Sequence, residues 1–325
     1  MIESIEPIDF HIVSHDGLIK FTNIDCDTEI WTQKGWCKAK ILNKELTNIW
    51  RFTTNASIYY GAEDSLIVCN GRKVEINKCS SIDILQAIQP KTITKIPQLI
   101  MDGLVVGDGS AYKGSYILPY LNIGQKDQDY FDSEIKHLII ERQPSTHSLG
   151  WRIKTNITTD ELPLLPVRPI PNRYLYGTIN EICSFLMGLF SANGTGSGNR
   201  VSLKSTNYKL IRQSQIMLGL IGIRSYMTTT KPRKIKWSNG EYTSKESFDL
   251  NINEDRNVYF RLIGFIQKYK TKLISDKLRF GTTYGSKYSY EILKKELVGE
   301  IMWPKIKVDN KYNTFWANGL NVCGN

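Results

Sequence analysis

Two segments of similar sequence end in residues whose side-chain oxygens could hold a cation. The first, MDGLVVGDG, contains Asp108, and the second, LMGLFSANG, contains Asn193, 85 residues further on (193 − 108). Hard cations such as Mg²⁺ prefer oxygen ligands, and paired cations can stabilise the attacking and leaving oxygens of phosphodiester hydrolysis. The segments therefore predict a metal-dependent hydrolytic site where Asp108 and Asn193 meet, with the preceding Gly107 and Ala192 as further candidate metal ligands.

Both segments have the pattern of an apolar helix that carries small residues at helical spacing. Small residues let two helices approach closely, whereas bulky side chains would hold them apart. We expect the two helices to pack against each other, with Asp108 and Asn193 side by side at their ends. The alternative is a pair of ordinary core helices with polar caps.

Three regions of the chain differ in pattern. Residues 1–95 alternate apolar and polar residues between Asn-Gly and similar turns, which predicts short strands, among them EIWTQKGWCKAKIL and NIWRFTT. Residues 96–285 give helix, strands and helix twice, in repeats of about 96–170 and 171–285 joined by an extended connector, ELPLLPVRPIPNRY. DSEIKHLIIE and NVYFRLIGFIQKYK are expected helices of these repeats, and residues 286–325 return to a strand pattern. The predicted fold class is α+β with a duplicated core.

The charge balance favours a polyanionic partner. Lysine and arginine outnumber the acidic residues by 42 to 32, although an ordinary basic enzyme would have the same composition. No apolar run reaches the roughly 18 residues that a membrane helix needs, and the N-terminus lacks the pattern of a secretory signal. The six cysteines form no CxxC pair and the four histidines have no zinc-ligand spacing, so we expect free thiols in an intracellular protein.

With these motifs, residues 96 to 285 resemble the LAGLIDADG homing endonucleases, proteins of mobile genetic elements, in their single-chain, two-repeat form. The resemblance implies two pseudo-symmetric αββαββα repeats, whose motif helices form the interface and whose four-stranded sheets face the major groove of double-stranded DNA. It also implies a monomer with a long recognition site, and Mg²⁺, or Mn²⁺ as a substitute, bound by the last acidic residue of each motif. Asp108 matches that position and Asn193 departs from it. Because an amide brings no charge, the second site should bind Mg²⁺ more weakly, which leaves cleavage of both strands, nicking and binding alone as open outcomes.

Further candidate catalytic residues follow from the same resemblance. Lys270, 77 residues after Asn193 (270 − 193), matches a basic residue near the active site of the family and could polarise solvent. The first repeat has no lysine at that separation, and Arg168 is a substitute candidate. Gln125, with Thr206 as its positional counterpart, is a candidate for ordering solvent, although each could be an exposed residue at a strand end.

DNA contacts are expected on one strand and one basic hairpin of the second repeat. Polar side chains at alternate strand positions can face the groove, and a charge run beside Trp237 is expected to contact phosphates, although such runs are often only solvated loops. The candidate DNA-binding residues are Arg200, Ser202, Lys204, Lys231, Arg233, Lys234 and Lys236.

The β-rich ends resemble the two halves of an intein, or Hint-type, splicing domain. The tail VDNKYNTFWANGLNVCGN is similar to the closing segments of that domain, which end in asparagine, here Asn325. We expect the splicing chemistry to be lost, since Met1 is no nucleophile, Asp64 and Ser65 stand where the resemblance implies histidine, and Asn313 replaces another histidine. The frame is interpreted as a relic, although Asn325 could be incidental.

The sequence thus leads to a site-specific, metal-dependent endonuclease of double-stranded DNA, intein-derived and without splicing. Two alternatives stay open. One is an intein still competent for splicing, and the other is a nucleic-acid-binding protein that does not cut, such as a maturase.

Overall fold

The structure is a computed structural model that describes residues 11–14, 17–24, 28–32, 35–54, 57–85, 92–111, 119–144, 148–175, 177–197, 199–237, 240–270, 289–311 and 313–324. It divides into two units, one comprising Met1–Gln89 with Thr282–Asn325, the other Pro90–Gly281. The fold is mixed α and β. In the described ranges, no helix has the length and apolar character required to cross a membrane.

Strands from both ends of the chain build the first unit. They are β1 His11–Ser14, β2 Gly17–Lys20, β3 Thr28–Thr32, β4 Gly35–Thr54, β5 Ile58–Gly61, β6 Leu66–Cys69, β7 Arg72–Glu75, β8 Ser81–Asp83, β19 Ser289–Val308, β20 Thr314–Ala317 and β21 Leu320–Cys323. The strand order is β7-β6-β21-β20-β1-β3-β4-β19-β8, with β2 beside β1 and β5 beside β4. The N-terminal and C-terminal strands are thus neighbours in one antiparallel sheet.

The longest pairing of the first unit joins β4 to β19. It runs from Ala39 opposite Val308 to Thr54 opposite Ile292. The expectation of separate strands in EIWTQKGWCKAKIL and NIWRFTT was wrong, because β4 continues through Gly35–Thr54 once β19 pairs with its whole length. Alternate apolar residues of these strands enter a core that includes Phe21, whose ring lies 4.7 Å from that of Trp303.

The second unit contains two successive groups of helices and strands. The first group has α1 Pro97–Asp108, β9 Ser110–Ala111, β10 Pro119–Gly124, α2 Gln128–Ile135, β11 Ile139–Pro144, β12 Ser148–Ile153 and α3 Asn172–Leu175. The second group has α4 Ile179–Asn193, β13 Gly194–Ser197, β14 Arg200–Ser205, α5 Tyr208–Leu220, β15 Tyr226–Thr230, β16 Lys234–Trp237, β17 Gly240–Thr243, β18 Ser247–Ile252 and α6 Arg256–Leu262.

The sheet topology is duplicated. The first sheet has the order β11-β12-β10-β9 and the second β15-β18-β14-β13, so strands in equivalent chain positions occupy equivalent sheet positions. The second group adds the β16–β17 hairpin, which forms its own two-stranded sheet between β15 and β18. We call the two groups the first and second repeat.

Three local expectations were wrong. The helix expected in DSEIKHLIIE ends at Ile135, and β11 begins at Ile139 after a short 3-10 turn, because IIE pairs with β12. The helix expected in NVYFRLIGFIQKYK ends at Leu262, since Gly264 has a φ of +71°, which a continuing helix does not allow. The expected extended connector contains two 3-10 turns, Thr159–Glu161 and Leu165–Val167, and α3.

Candidate active site

The two motif helices, α1 and α4, are in backbone contact. A Cβ atom built on Gly103 would lie 2.0 Å from the Phe185 carbonyl oxygen, and one on Gly188 would lie 2.0 Å from the Ile100 carbonyl oxygen. No side chain fits at either position. The predicted close approach of the two helices is confirmed. The contact is reciprocal, because a glycine of each helix lies against a backbone carbonyl of the other.

Local hydrogen bonds define where the motif helices begin. Thr178 precedes α4, and its hydroxyl accepts from the Glu181 amide while the Glu181 carboxylate accepts from the Thr178 amide, forming a capping box. The Ser184 hydroxyl of α4 accepts from the Ile96 amide, directly before α1. The chain entering one motif helix is therefore held by the other.

The ends of the two helices meet as the sequence predicted, with a different role for one candidate ligand. Asp108 is exposed at the end of α1, and the Asn193 Nδ2 atom donates to the Gly107 carbonyl oxygen over 2.8 Å. A Cβ on Gly107 would lie 2.7 Å from the Ala192 Cβ, so these two residues are in contact. The reversed amide would bring two oxygens together, so the Asn193 nitrogen must face Gly107. The Gly107 carbonyl thus accepts from Asn193 in the structure.

The donor set fits one oxygen-liganded cation better than two. Asp108 supplies a carboxylate, and Asn193 has its amide oxygen free of the bond to Gly107. Within the described ranges, no group of three or more His, Cys, Asp or Glu residues is placed to hold a metal ion. The second motif would therefore offer a cation only a neutral oxygen, that of Asn193.

Arg168, the substitute candidate in the first repeat, is buried against the end of α1. It is 3% exposed, and its Nη1 atom donates to the carbonyl oxygens of Val105 at 3.2 Å, Val106 at 3.2 Å and Gly109 at 2.8 Å. These carbonyls lie at the C-terminal end of α1, where the helix dipole places a partial negative charge. The positive charge of the guanidinium stabilises that end of the helix. Partial desolvation by the neighbouring protein raises the pKa of Asp108, burial lowers that of Arg168, and the attraction between the two charges partly offsets both shifts.

Lys270 has the equivalent place at the end of α4. Its Nζ atom donates to the carbonyl oxygens of Ser191 at 2.9 Å and Gly194 at 3.0 Å. These residues lie two before and one after Asn193, as Val106 and Gly109 lie relative to Asp108. The structure therefore makes Arg168 and Lys270 counterparts, although their separations along the chain differ. Burial lowers the pKa of Lys270 to about 8, with a further lowering by Lys126 and an opposing effect of Asp127.

Lys126 and Asp127 are site residues that sequence reasoning missed. They follow Gln125 in the 3-10 turn Gln125–Asp127, directly after β10, and both act electrostatically on Lys270. Gln125 is exposed at the start of this turn, and Thr206 is exposed at the equivalent place after β14. Adjacency to Gln125 was the available signal, but its proximity to Lys270 depends on the packing of the two repeats.

The second sheet has one polar face, on β14, β18 and β15. Arg200 and Lys204 are exposed there, and the Lys204 amine lies 4.0 Å from the Asp249 carboxylate. Ser202 shares this face by alternation along β14, but it is only 7% exposed, and its hydroxyl donates to Asn251 Oδ1 over 2.8 Å. The reason is that β14 is a central strand, where Ser202 lies opposite Asn251 of β18.

The basic run of the second repeat spans a loop and a strand. Lys231 and Arg233 lie between β15 and β16, Lys234 begins β16, and all three are exposed. Lys236 and Trp237 belong to β16, opposite Glu241 and Gly240 of β17. The first sheet also has polar side chains. Asn122 of β10 is exposed, and Arg152 of β12 forms an ion pair with Glu141 of β11 at 3.0 Å.

The candidate splicing residues lie in the first unit. Asn313 has a φ of +46°, its Oδ1 atom accepts from the Val308 amide over 2.7 Å, and its carbonyl accepts from the Gly324 amide over 2.7 Å. Ser65 follows the turn between β5 and β6 and contacts Tyr59. Met1 and Asn325 lie outside the described residues.

Comparison with known proteins gives a family for part of the chain. Residues 180–260 match the family model of a LAGLIDADG-like domain, and this range runs from α4 into α6. The match lies within the second repeat and covers about a quarter of the chain. No curated protein matches the sequence.

Three solved structures illustrate the similarity. Mesophilic variants of the homing endonuclease I-DmoI are 16% identical, with 52% of this chain and 94% of that chain covered and a TM-score of 0.35. I-DmoI in complex with DNA and Mn is 15% identical, with 52% and 96% covered and a TM-score of 0.34. Full-length DUF199/WhiA from Thermatoga maritima is 12% identical, with 57% and 62% covered and a TM-score of 0.34. With identities and TM-scores this low, the family match over residues 180–260 is the finding that bears on function.

Proposed function

We propose that this chain is a site-specific endonuclease of double-stranded DNA, in which residues 96–285 form a monomeric, two-repeat LAGLIDADG unit with a long recognition site. The observation that carries the proposal is the reciprocal contact of α1 and α4, which brings the ends of both motif helices together. The duplicated sheets, the exposed basic residues Arg200 and Lys204 and the net charge of +10 support a polyanionic substrate.

The proposed chemistry depends on one carboxylate and one perturbed amine. Asp108, aided by the oxygens of Asn193 and Ala192, would hold Mg²⁺ or Mn²⁺, which polarises a phosphate and acidifies bound water. Lys270 has a pKa of about 8, so its amine is close to half protonated in mildly alkaline solution. As the ammonium form it can stabilise charge on a phosphate oxygen, and as the amine it can accept a proton from solvent.

The asymmetry of the motifs implies unequal cleavage of the two strands. Asp108 brings a negative charge to its side of the helix pair, whereas Asn193 brings none and holds the Gly107 carbonyl. Since charge on the ligands governs the affinity of oxygen sites for divalent cations, we expect one strand to be cut faster than the other. Nicked DNA should accumulate before linear DNA.

The experiment uses randomised duplex libraries, incubated with the full-length chain and Mg²⁺ and sequenced at the new ends. A selected site is then placed in a supercoiled plasmid to measure nicking and linearisation separately. Asp108→Asn should lower the nicking rate at least about 100-fold. Asn193→Asp replaces the donor to the Gly107 carbonyl by a charged oxygen, so it should speed up linearisation at Mg²⁺ concentrations that place a cation between these two oxygens. Asp160→Asn, in the exposed 3-10 turn Thr159–Glu161, is the charge-matched control. The proposal fails if no site is cut, or if Asp108→Asn cuts as fast as the control.

One observation favours a second function, binding of nucleic acid without cleavage, as in a maturase. Asn193 is uncharged, and its amide nitrogen is engaged by Gly107. Retained binding of duplex DNA or of structured intron RNA, with no cleavage by the wild type or by Asn193→Asp, would decide for this alternative.

We further propose that residues 1–95 and 286–325 are an intein-derived, Hint-like frame without splicing activity, in a protein that acts inside the cell where its target DNA is found. The mixed origin of the strands in the first sheet is consistent with a domain split by an insertion. Asn313 supports loss of activity, because both its side chain and its carbonyl hold neighbouring backbone. The chain placed between two reporter exteins should give no ligated product, and a ligated product would contradict this interpretation.

A further inference from the structure

Each repeat has a terminal segment that packs against the opposite repeat. Residues 163–170 lie near the end of the first repeat and residues 265–270 near the end of the second, and we call them the crossing segments. Each carries the basic residue, Arg168 or Lys270, that binds the end of its own motif helix. Both crossing segments lie within the second unit of the fold.

The first crossing segment is held by the second repeat. Asn207 follows β14, and its Nδ2 atom donates to the carbonyl oxygens of Arg168 and, at 3.3 Å, of Leu165. Gln213 of α5 binds the backbone of Ile170 twice, accepting from its amide at 2.8 Å and donating to its carbonyl at 3.0 Å. The backbone that carries Arg168 is therefore fixed by residues of the other repeat.

The second crossing segment is held by the first repeat in the equivalent way. The Tyr269 ring lies 5.8 Å from the Tyr130 ring of α2, and the Lys126 amine lies 5.4 Å from the centre of the Tyr269 ring. Burial and a hydrogen bond to Asp127 raise the pKa of Tyr269 to about 12. Lys126 and Asp127 follow β10, and Asn207 follows β14, the equivalent strand of the other sheet.

Each crossing segment thus joins a sheet end of one repeat to a motif-helix end of the other. Arg168 binds Val106 and Gly109 beside Asp108, and Lys270 binds Ser191 and Gly194 beside Asn193. We propose that Asn207 and Tyr269 are positioning residues through which the sheet of one repeat sets the place of the basic residue at the catalytic end of the other. This inference rests on the proposed function. It implies that DNA contact with the sheet of either repeat affects the positions of the basic residues at both helix ends.

The test separates this positioning from helix stability. Asn207 also caps α5, since its Oδ1 atom accepts from the Leu210 amide. Serine caps a helix as well as asparagine does, but its hydroxyl cannot reach two carbonyls of the crossing segment. Asn207→Ser should therefore keep α5 stable while the exchange protection of the Val167 and Arg168 amide hydrogens falls at least about tenfold. Thr178→Ala, which removes the cap of α4, is the matched control and should leave that protection unchanged.

The second arm measures Lys270 directly by NMR titration of its amine in the full-length chain without DNA or metal. Tyr269→Leu removes the contacts with Asp127, Lys126 and Tyr130, so Lys270 becomes better hydrated and its pKa rises from about 8 towards the ordinary lysine value. Tyr208→Leu removes a ring contact with Phe248 inside one repeat, 5.3 Å between centres, and should leave the pKa of Lys270 unchanged.

Two results would overturn the proposal. One is a Tyr269→Leu protein that loses stability while Lys270 still titrates at about 8, and the other is an Asn207→Ser protein with unchanged protection of residues 167 and 168. Neither measurement involves cleavage. If the wild-type chain cuts no sequence in the library, that result would contradict the proposed endonuclease function and leave the proposed positioning roles of Asn207 and Tyr269 to be decided by these two measurements.

Discussion

A methyl group added to Gly188 should destabilise the second unit more than its small size suggests. The new Cβ would lie 2.0 Å from the Ile100 carbonyl oxygen, 2.8 Å from the Leu104 amide nitrogen and 2.9 Å from the Ile100 carbonyl carbon. All three atoms belong to the backbone of α1, which cannot rotate away as a side chain could. Reaching an ordinary contact of about 3.4 Å requires the helices to separate by roughly 1.4 Å.

The cost follows from that separation. Overpacking in a core costs about 3 kcal/mol when backbone must move, and the higher helix propensity of alanine returns about 1 kcal/mol. We expect Gly188→Ala to lower the free energy of unfolding by about 2 kcal/mol, with a similar loss for Gly103→Ala. With a urea dependence of about 2 kcal/mol per molar, the midpoint falls by roughly 1 M.

Urea unfolding followed by far-UV circular dichroism is suited to this measurement, because the described α-helices all lie in the second unit. Gly124→Ala is the matched control, since Gly124 has a φ of −59° and no atom within 4 Å of an added Cβ. Equal midpoints for Gly188→Ala and Gly124→Ala would refute the backbone contact of α1 and α4.

Two further predictions concern charge. The pKa of Lys270 is about 8 in the folded chain and has an ordinary value of 10.5. Between these pH values the unfolded chain therefore binds a proton that the folded chain lacks. The stability of the wild type relative to Lys270→Met should be flat below pH 8 and rise from about pH 8 to 10.5, by up to about 3 kcal/mol. Urea unfolding across this range checks the prediction, and parallel curves for the two proteins would contradict it. DNA binding should weaken with salt, and Lys234→Ala should reduce the slope of log K against log salt by about 0.9 if the lysine contacts a phosphate. Lys136→Ala, exposed after α2, is its control, and an unchanged slope for Lys234→Ala would remove the basic run from the interface.

The motif helices could be predicted from sequence because their signals are local. Apolar periodicity predicts α1 and α4. Small residues such as Gly103 and Gly188 at helical spacing predict a close approach of the two helices, as the structure has it. The strand and helix order of the second repeat follows from similarly local patterns. Local signals also placed Asp108 and Asn193 at the helix ends.

Other parts of the site depend on partners far along the chain. Ser202 looks like an exposed alternate residue until Asn251, 49 residues later, lies opposite it. Arg168 looks like a free basic residue until α1 is packed beside it, and Lys126 gains its significance from Lys270 of the other repeat. Periodicity within a segment contains no information about such pairings, because they are made by tertiary packing.

The sheet of the first unit has a consequence for how the chain matures during synthesis. β4 leaves the ribosome early, but its partner β19 begins at Ser289, after the whole of the second unit. Until then β4 presents a long unpaired edge with apolar side chains such as Leu42 and Leu46, which remain 56% and 59% exposed even after pairing. Domains fold as units during translation, and unpaired strand edges attract other chains. We therefore expect the nascent first unit to be most prone to pairing with other chains before β19 has been synthesised.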